Sequence, residues 1–184
     1  MAQMAPAVFL DRDGTIVEDQ GFLHEPNKVK LLPGAAEAIH RLNAAGYLVV
    51  TVSNQSGIAR GLYTLAEYEA VQARLKELLT AHHARLDGSY VCPHHPQFTG
   101  PCACRKPGTK LFRDAQATLG IDFTPSWWVG DRLSDVQPAR LLGGRAILVT
   151  TGLGNLHQGQ ARALHVTVVA DLLGAADQIL RGPH

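Results

Sequence analysis

The chain has 184 residues, which suits one domain, expected to span residues 1–184; domains mostly run roughly 100–200 residues. A hydrophobic share of 46% with 18% charged residues excludes wholesale disorder, and a formal net charge of +1 leaves no basic surplus to hold a nucleic-acid backbone. No apolar stretch approaches the roughly 20 residues that span a bilayer. The first ten residues also lack the basic start and long apolar core of a secretory signal. The expectation is a cytoplasmic protein with neither a membrane nor a nucleic-acid partner, and a monomer, since no coiled coil or swap element stands out.

Strand and helix signals alternate along the chain. Residues 7–10 form a short apolar run before Asp11, read as a buried strand. Pro33 and Gly34 open a helix whose face carries Ala35, Ala38, Ile39, Leu42 and Ala45, with Gly46 as its stop. Residues 47–52 are a second buried strand, and residues 54–61 a polar loop. Thr64 with Glu67 makes a capping box for a helix whose Tyr68, Val71, Leu75, Leu78 and Leu79 have helical spacing. Residues 89–91 read as a strand, 110–119 as a helix stopped by Gly120, and 127–129 as a strand. Residues 134–142 read as one helix weakened by Pro138. Strands at 146–149 and 166–170 and a helix at 172–180 complete the series. The expected fold is α/β: a Rossmann-like, doubly wound, mostly parallel sheet with helices on both faces. Its active site should lie beyond the carboxyl ends of the strands. Residues 17–32 are too long for a plain strand-to-helix connection and read as a functional flap.

Four constellations follow these elements. Asp11-Arg12-Asp13-Gly14-Thr15 comes directly after the first strand. Residues two apart in an extended chain point the same way, so Asp11 and Asp13 would share a cavity. Like charges that close push one pKa up, which suits one ionised nucleophile and one protonated acid. A capped turn is the plainer reading; a calcium loop fits poorly, because loop positions six and twelve would be Ile16 and Phe22. Ser53-Asn54-Gln55-Ser56-Gly57 follows the second strand and offers hydroxyl and amide donors for phosphate oxygens, although it is also ordinary turn material. Arg105-Lys106 precedes a helix and could clamp a phosphate, or be merely solvated. Asp131 and Asp135, after the strand at 127–129, bring two more acids to the same edge, or cap a helix.

The cysteines form a fifth group. Cys92, Cys102 and Cys104 fall within thirteen residues, an odd number that cannot pair completely. With His94, or His95 as a second candidate, they make paired Cys-x-His and Cys-x-Cys ligands for a closed, structural zinc in a loop spanning 92–104.

Acids, a hydroxyl, a lysine and acids again, each after successive elements, is an order that resembles the haloacid dehalogenase superfamily of phosphotransferases. That resemblance makes Asp11 the nucleophile that becomes an aspartyl-phosphate and Asp13 the acid that protonates the leaving alkoxide and then activates water. Ser53 and Lys106 would stabilise the transferring phosphoryl group. Mg²⁺ would be held by Asp11, Asp13 and Asp131, with Asp135 in support. The Asp-Arg-Asp-Gly-Thr start, the stretch Asn54-Gln55-Ser56-Gly57-Ile58-Ala59-Arg60-Gly61 and the Cys-Pro-His-His-Pro and Cys-x-Cys-Arg-Lys-Pro segments resemble, within it, the D-glycero-D-manno-heptose 1,7-bisphosphate phosphatases. This implies removal of the C7 phosphate of a sugar bisphosphate in the supply of heptose for bacterial surface polysaccharide. It implies zinc on Cys92, His94, Cys102 and Cys104, and substrate contacts from Asp19, Gln20, Gly21, Phe22, Ser53, Asn54, Gln55, Ser56, Arg105, Lys106 and Arg132. Ser53 stands where many relatives carry Thr. Histidinol-phosphate phosphatase is the nearest alternative, and a catalytically dead, zinc-stabilised binding module is an alternative of another class. The motifs leave His24 open between substrate contact and loop support.

Overall fold

The computed structural model describes residues 4–182; residues 1–3, part of the stretch judged to lack a signal, lie outside the described residues. Six strands form one sheet: β1 (Ala5–Leu10), β2 (Leu48–Asn54), β3 (Gly88–Cys92), β4 (Ile121–Gly130), β5 (Arg145–Val149) and β6 (Thr167–Val169). Their order is β3-β2-β1-β4-β5-β6, and all five pairings are parallel. This is the Rossmann order, in which the chain reverses its direction of winding between β1 and β4 and leaves a crevice at their carboxyl ends.

Among the described residues there are nine α-helices and one short 3-10 helix, Pro26–Lys28. Packed on the sheet are α1 (Ala35–Ala44), α3 (Leu65–Thr80), α5 (Lys110–Leu119), α7 (Pro138–Leu142) and α9 (Leu172–Leu180). Shorter α2 (Ser56–Ala59), α4 (Pro96–Thr99) and α6 (Leu133–Val136), with the mostly polar α8 (Gly154–Ala163), complete the set. Two apolar clusters lie on opposite faces of the sheet. Val8, Leu10, Val49, Val129 and Ile147 face the side covered by α1, α3 and α9. Ala7, Phe9, Val50, Val52 and Trp128 face the side covered by α5 and α7. The period-two alternation along β1 therefore feeds two cores, as expected for a sheet buried on both sides. The capping box forms as read: Thr64 Oγ1 accepts from Glu67 N at 3.2 Å, and Glu67 Oε2 accepts from Thr64 N at 2.7 Å.

Four segments depart from the sequence reading. The helix expected over 134–142 is two helices, α6 and α7, divided at Gln137 where Pro138 supplies no N–H. Strand β4 starts at Ile121, six residues before the expected start; its register against β1 shifts between Pro6 and Val8, so Pro125 sits in the irregular stretch. The loop expected over 54–61 holds α2. Helix α8 carried no apolar period and buries only Gly154 and Ala161. The flap at 17–32 is tied at its base by bridges from Asp13 to Val17 and from Val17 to Leu31, and Ile16, Val17, Leu23 and Val29 sink into the core.

Candidate active site

The carboxyl ends of β1, β2 and β4 open into a cavity of about 370 Å³. It is lined by Asp11 and Asp13 after β1, Ser53 and Asn54 at the end of β2, Gln55 and Ser56 after it, Arg105 and Lys106 before α5, and Arg132, Ser134 and Asp135 around the start of α6. The Asp11 N–H donates to Val129 O at 3.0 Å, which fixes the first acid at the β1/β4 switch point. Asp131, fully buried, lies beneath.

Lys106 is the electrostatic centre. Its Nζ lies 2.8 Å from Asp11 Oδ1 and 2.8 Å from Asp135 Oδ1, and donates to Val52 O at 2.6 Å. Burial works against its charge, but the two carboxylates outweigh it and hold Lys106 protonated, with its pKa raised. The Asn54 amide fixes the backbone beneath it, accepting from Lys106 N at 2.9 Å and donating to Lys106 O at 3.2 Å.

Asp11, Asp131 and Asp135 bring ligand oxygens within 4.8 Å of one another. Three carboxylates around one ammonium leave two negative charges uncompensated. Burial, then the charges of Asp11 and Asp135, push the Asp131 carboxyl up to about 7. Its Oδ2 accepts from Leu153 N at 2.8 Å, whereas its buried Oδ1 has no partner. An orphaned buried carboxylate oxygen within an all-oxygen triad fits a hard divalent cation such as Mg²⁺. This triad is one of carboxylate oxygens: the carboxylate of Asp13, expected among the magnesium ligands, is not part of it, and that of Asp135, expected in support, is.

Asp13 is instead held by its neighbours. Arg12 donates to both its oxygens, with Nη2 3.0 Å from Oδ2, and Gln55 Nε2 donates to Oδ2 at 2.8 Å. Burial and the Asp11 charge raise the Asp13 pKa, while Arg12 works in the opposite sense. Gln55 Nε2 also donates to Ser53 Oγ at 2.6 Å, and the Tyr63 hydroxyl donates to Gln55 Oε1. Tyr63 lines the cavity and was missed in the sequence, as was Ser134; an aromatic residue in a short connection before a helix gives no pattern of its own.

Gly14 shows why the first motif needs its glycine. Its φ is +82°, and a Cβ there would stand 2.5 Å from Asp131 Oδ2. Gly21, on the flap, has a φ of +78° with nothing within 4 Å of such a Cβ. Gly21→Ala should therefore cost only the left-handed backbone, about 1–2 kcal/mol. Gly14→Ala should cost several kcal/mol and displace Asp131. Thermal unfolding of the two variants measures the difference; equal losses would remove the steric part of the argument.

The flap supplies Asp19, Gly21 and Phe22 to the cavity wall, and Arg132 lies 3.6 Å from Asp19 across it. Gln20, expected beside them, does not line the cavity; its amide donates to Lys28 O at 2.8 Å and ties the flap to itself. His24 likewise bonds within the flap: its Nδ1 lies 2.7 Å from Phe22 O, and its ring stacks on Tyr63.

The metal-ligand candidates of the loop converge as a second cluster. Cys92, His94, Cys102 and Cys104 place their ligand atoms within 4.8 Å of one another, and the three cysteines are free. Cys102 Sγ lies 3.7 Å from Cys92 Sγ and 3.6 Å from Cys104 Sγ. Tetrahedral zinc with bonds near 2.3 Å separates its sulfurs by about 3.8 Å, which those two pairs match, while Cys92 Sγ and Cys104 Sγ stand closer, at 2.6 Å; three thiols and an imidazole converging on one point are the donor types zinc takes. Burial raises the Cys92 thiol's pKa, so a bound cation is what would hold it as thiolate. His95, the second candidate, instead caps α4, accepting from Gln97 N at 3.3 Å.

A Rossmann-type sheet with paired acids and a lysine at its switch point defines a class of hydrolases, and residues 103–176 match the family model described as HAD-hydrolase-like. The chain is 42% identical over 179 residues to the D-glycero-beta-D-manno-heptose-1,7-bisphosphate 7-phosphatase of Photorhabdus laumondii, covering 94% of this chain and 95% of that protein. It is 42% identical over 158 residues to the protein of the same name from Escherichia coli K12, covering 83% of each. The crystal structure of the D,D-heptose 1,7-bisphosphate phosphatase of B. bronchiseptica, complexed with magnesium and phosphate, superposes with a TM-score of 0.88 at 35% identity, over 97% of this chain and 99% of that one. The chain belongs to the heptose-1,7-bisphosphate 7-phosphatase family of HAD hydrolases, enzymes that hydrolyse a phosphate ester.

Proposed function

We propose that the protein removes the C7 phosphate of D-glycero-β-D-manno-heptose 1,7-bisphosphate and leaves the C1 phosphate in place. The supporting observation is the pairing of Asp11, held by Lys106, with Asp13 in one cavity, and the substrate comes from the names of the relatives. Asp11 attacks phosphorus and forms an aspartyl-phosphate, dividing one difficult displacement into two easier ones. Asp13 gives its proton to the departing C7 oxygen, then takes one from the water that hydrolyses the intermediate. Lys106 neutralises charge on the transferring group, and the Ser53 hydroxyl donates a hydrogen bond to it. Arg105, Asn54, Ser56 and Arg132, with Asp19, Gly21 and Phe22 of the flap, enclose the sugar and its second phosphate.

Asp11, Asp131 and Asp135 are assigned to hold Mg²⁺, which when bound would offset the repulsion between Asp11 and an anionic substrate and draw charge from the phosphate oxygens. Zinc is assigned to Cys92, His94, Cys102 and Cys104. EDTA should silence turnover and added Mg²⁺ restore it, while Ca²⁺, with its larger and looser shell, should support it poorly. Equal rates with the two ions would contradict the assignment.

Phosphate release measured side by side on both anomers of the bisphosphate and on histidinol phosphate tests the substrate. The β anomer should give the highest kcat/KM. Faster turnover of histidinol phosphate would reassign the substrate, and no turnover of any of the three would leave a binding module.

A further inference from the structure

Arg12 is a buried cation that the steps above do not use. It is 1% exposed, and its guanidinium lies 5.2 Å from the centroid of the Tyr68 ring. Alternation along an extended chain would turn it away from Asp11 and Asp13. The chain curls after β1, however, with Arg12 O accepting from Ile16 N at 2.9 Å, and the side chain comes back onto Asp13. Nε lies 3.3 Å from Asp13 Oδ1 and 3.2 Å from Oδ2; Nη2 lies 3.1 and 3.0 Å from the same two atoms. Gln55 adds a third donor on Oδ2, its amide turned that way by the Tyr63 hydroxyl on Oε1. A carboxylate offers about four lone-pair positions. Each Arg12 nitrogen is shared between the two oxygens, and Gln55 adds a shorter bond on Oδ2 alone, so Oδ1 is the less engaged oxygen of Asp13.

We propose that Arg12, with Gln55, is a positioning residue that turns the less engaged oxygen of Asp13, Oδ1, toward the leaving oxygen of the substrate. This rests on the reading of Asp13 as the acid of the reaction. In the step it serves, the bond from phosphorus to the ester oxygen breaks, the electron pair goes to that oxygen, and the oxygen takes the proton carried on Asp13 Oδ1 while Asp11 bonds to phosphorus. A lysine at position 12 keeps the charge but not the planar fork, so the carboxylate is free to rotate.

The test compares kcat/KM, which reports formation of the aspartyl-phosphate, on two kinds of ester. The heptose bisphosphate leaves as an alkoxide and needs the acid; p-nitrophenyl phosphate leaves as a stable phenolate and does not. Asp13→Asn should lose about 10²-fold or more on the first and far less on the second. Arg12→Lys should show the same split, at least about 10-fold on the bisphosphate and under about 3-fold on the aryl ester, with KM for the bisphosphate little changed. Gln55→Leu, acting on the same carboxylate from the other side, should show a smaller split and decides the matter if Arg12→Lys does not melt cooperatively. Equal losses on both esters, or none, would overturn the proposal while leaving Asp13 in its role. Absence of the split in Asp13→Asn would overturn the reading of Asp13, and the proposal with it.

Discussion

Asp11→Asn is expected to lower kcat by at least about 10⁴-fold while leaving the fold intact, the scale reached when the nucleophile of a covalent mechanism is removed. The amide is nearly isosteric with the carboxylate, so the backbone bond from residue 11 N to Val129 O and the surrounding packing should persist. What changes is charge. Lys106 loses one of its two carboxylate partners, 2.8 Å away, and keeps the other, Asp135, at the same distance. Against that loss, Asp131 is relieved of a repulsion that helps push its carboxyl up to about 7. The two changes oppose each other, so the thermal midpoint should move little. Mg²⁺ affinity should fall, since an amide is a poor ligand for that ion. Activity above a small fraction of wild type in a pure preparation would remove Asp11 from the mechanism. A large drop in the thermal midpoint would instead mean that its charge is structural.

The acids were legible because their positions depend on a short-range rule. An apolar β-run that ends in Asp puts that Asp at a sheet edge whatever the rest of the chain does, and the run before Asp11 and that before Asp131 both meet this condition. The strand order could not be read the same way, since placing β1 beside β4 depends on contacts between residues more than 110 positions apart, such as Leu10 with Val129. Helix α8 left no trace because its one leucine, Leu156, is exposed along with Asn155 and Gln160, and its Gly159 lowers helix propensity. The sharing of one cavity by Asp11 and Asp13 was legible from the alternation of an extended chain, whereas the grip of Arg12 and Gln55 on the Asp13 carboxylate depends on the turn after Leu10, which alternation does not describe. Neighbouring residues on a loop need not share a wall: Asp19 and Gly21 line the cavity, and Gln20 bonds back to Lys28.

Cys102→Ser is expected to strip the second metal, loosen the loop and lower kcat by about 10-fold to 100-fold without abolishing it, the range over which supporting groups act on a site. Tight zinc sites carry roughly 10–16 kcal/mol of apparent binding energy, and a hydroxyl is a far poorer ligand than a thiolate, so one replacement should suffice to lose the ion. The path to the active site is short. Cys92 closes β3, directly beside Asn54 in the sheet, and Cys104 stands two residues before Lys106. A metal joining Cys92 to Cys104 therefore fixes the segment that delivers Lys106 to Asp11. The loss should be partial because a second tether survives: the Asn54 amide still holds both Lys106 N and Lys106 O. This makes a further comparison decisive. Asn54→Ala alone should weaken activity moderately, and combined with Cys102→Ser should cost more than the product of the two separate factors, since each tether covers for the other. Elemental analysis should find about one zinc per wild-type chain and none in Cys102→Ser, with kcat and the thermal midpoint measured on the same preparations. A zinc-free wild-type protein of full stability and full activity would sink the structural role of the loop, and Asp11, Asp13 and Lys106 would still carry the phosphatase chemistry.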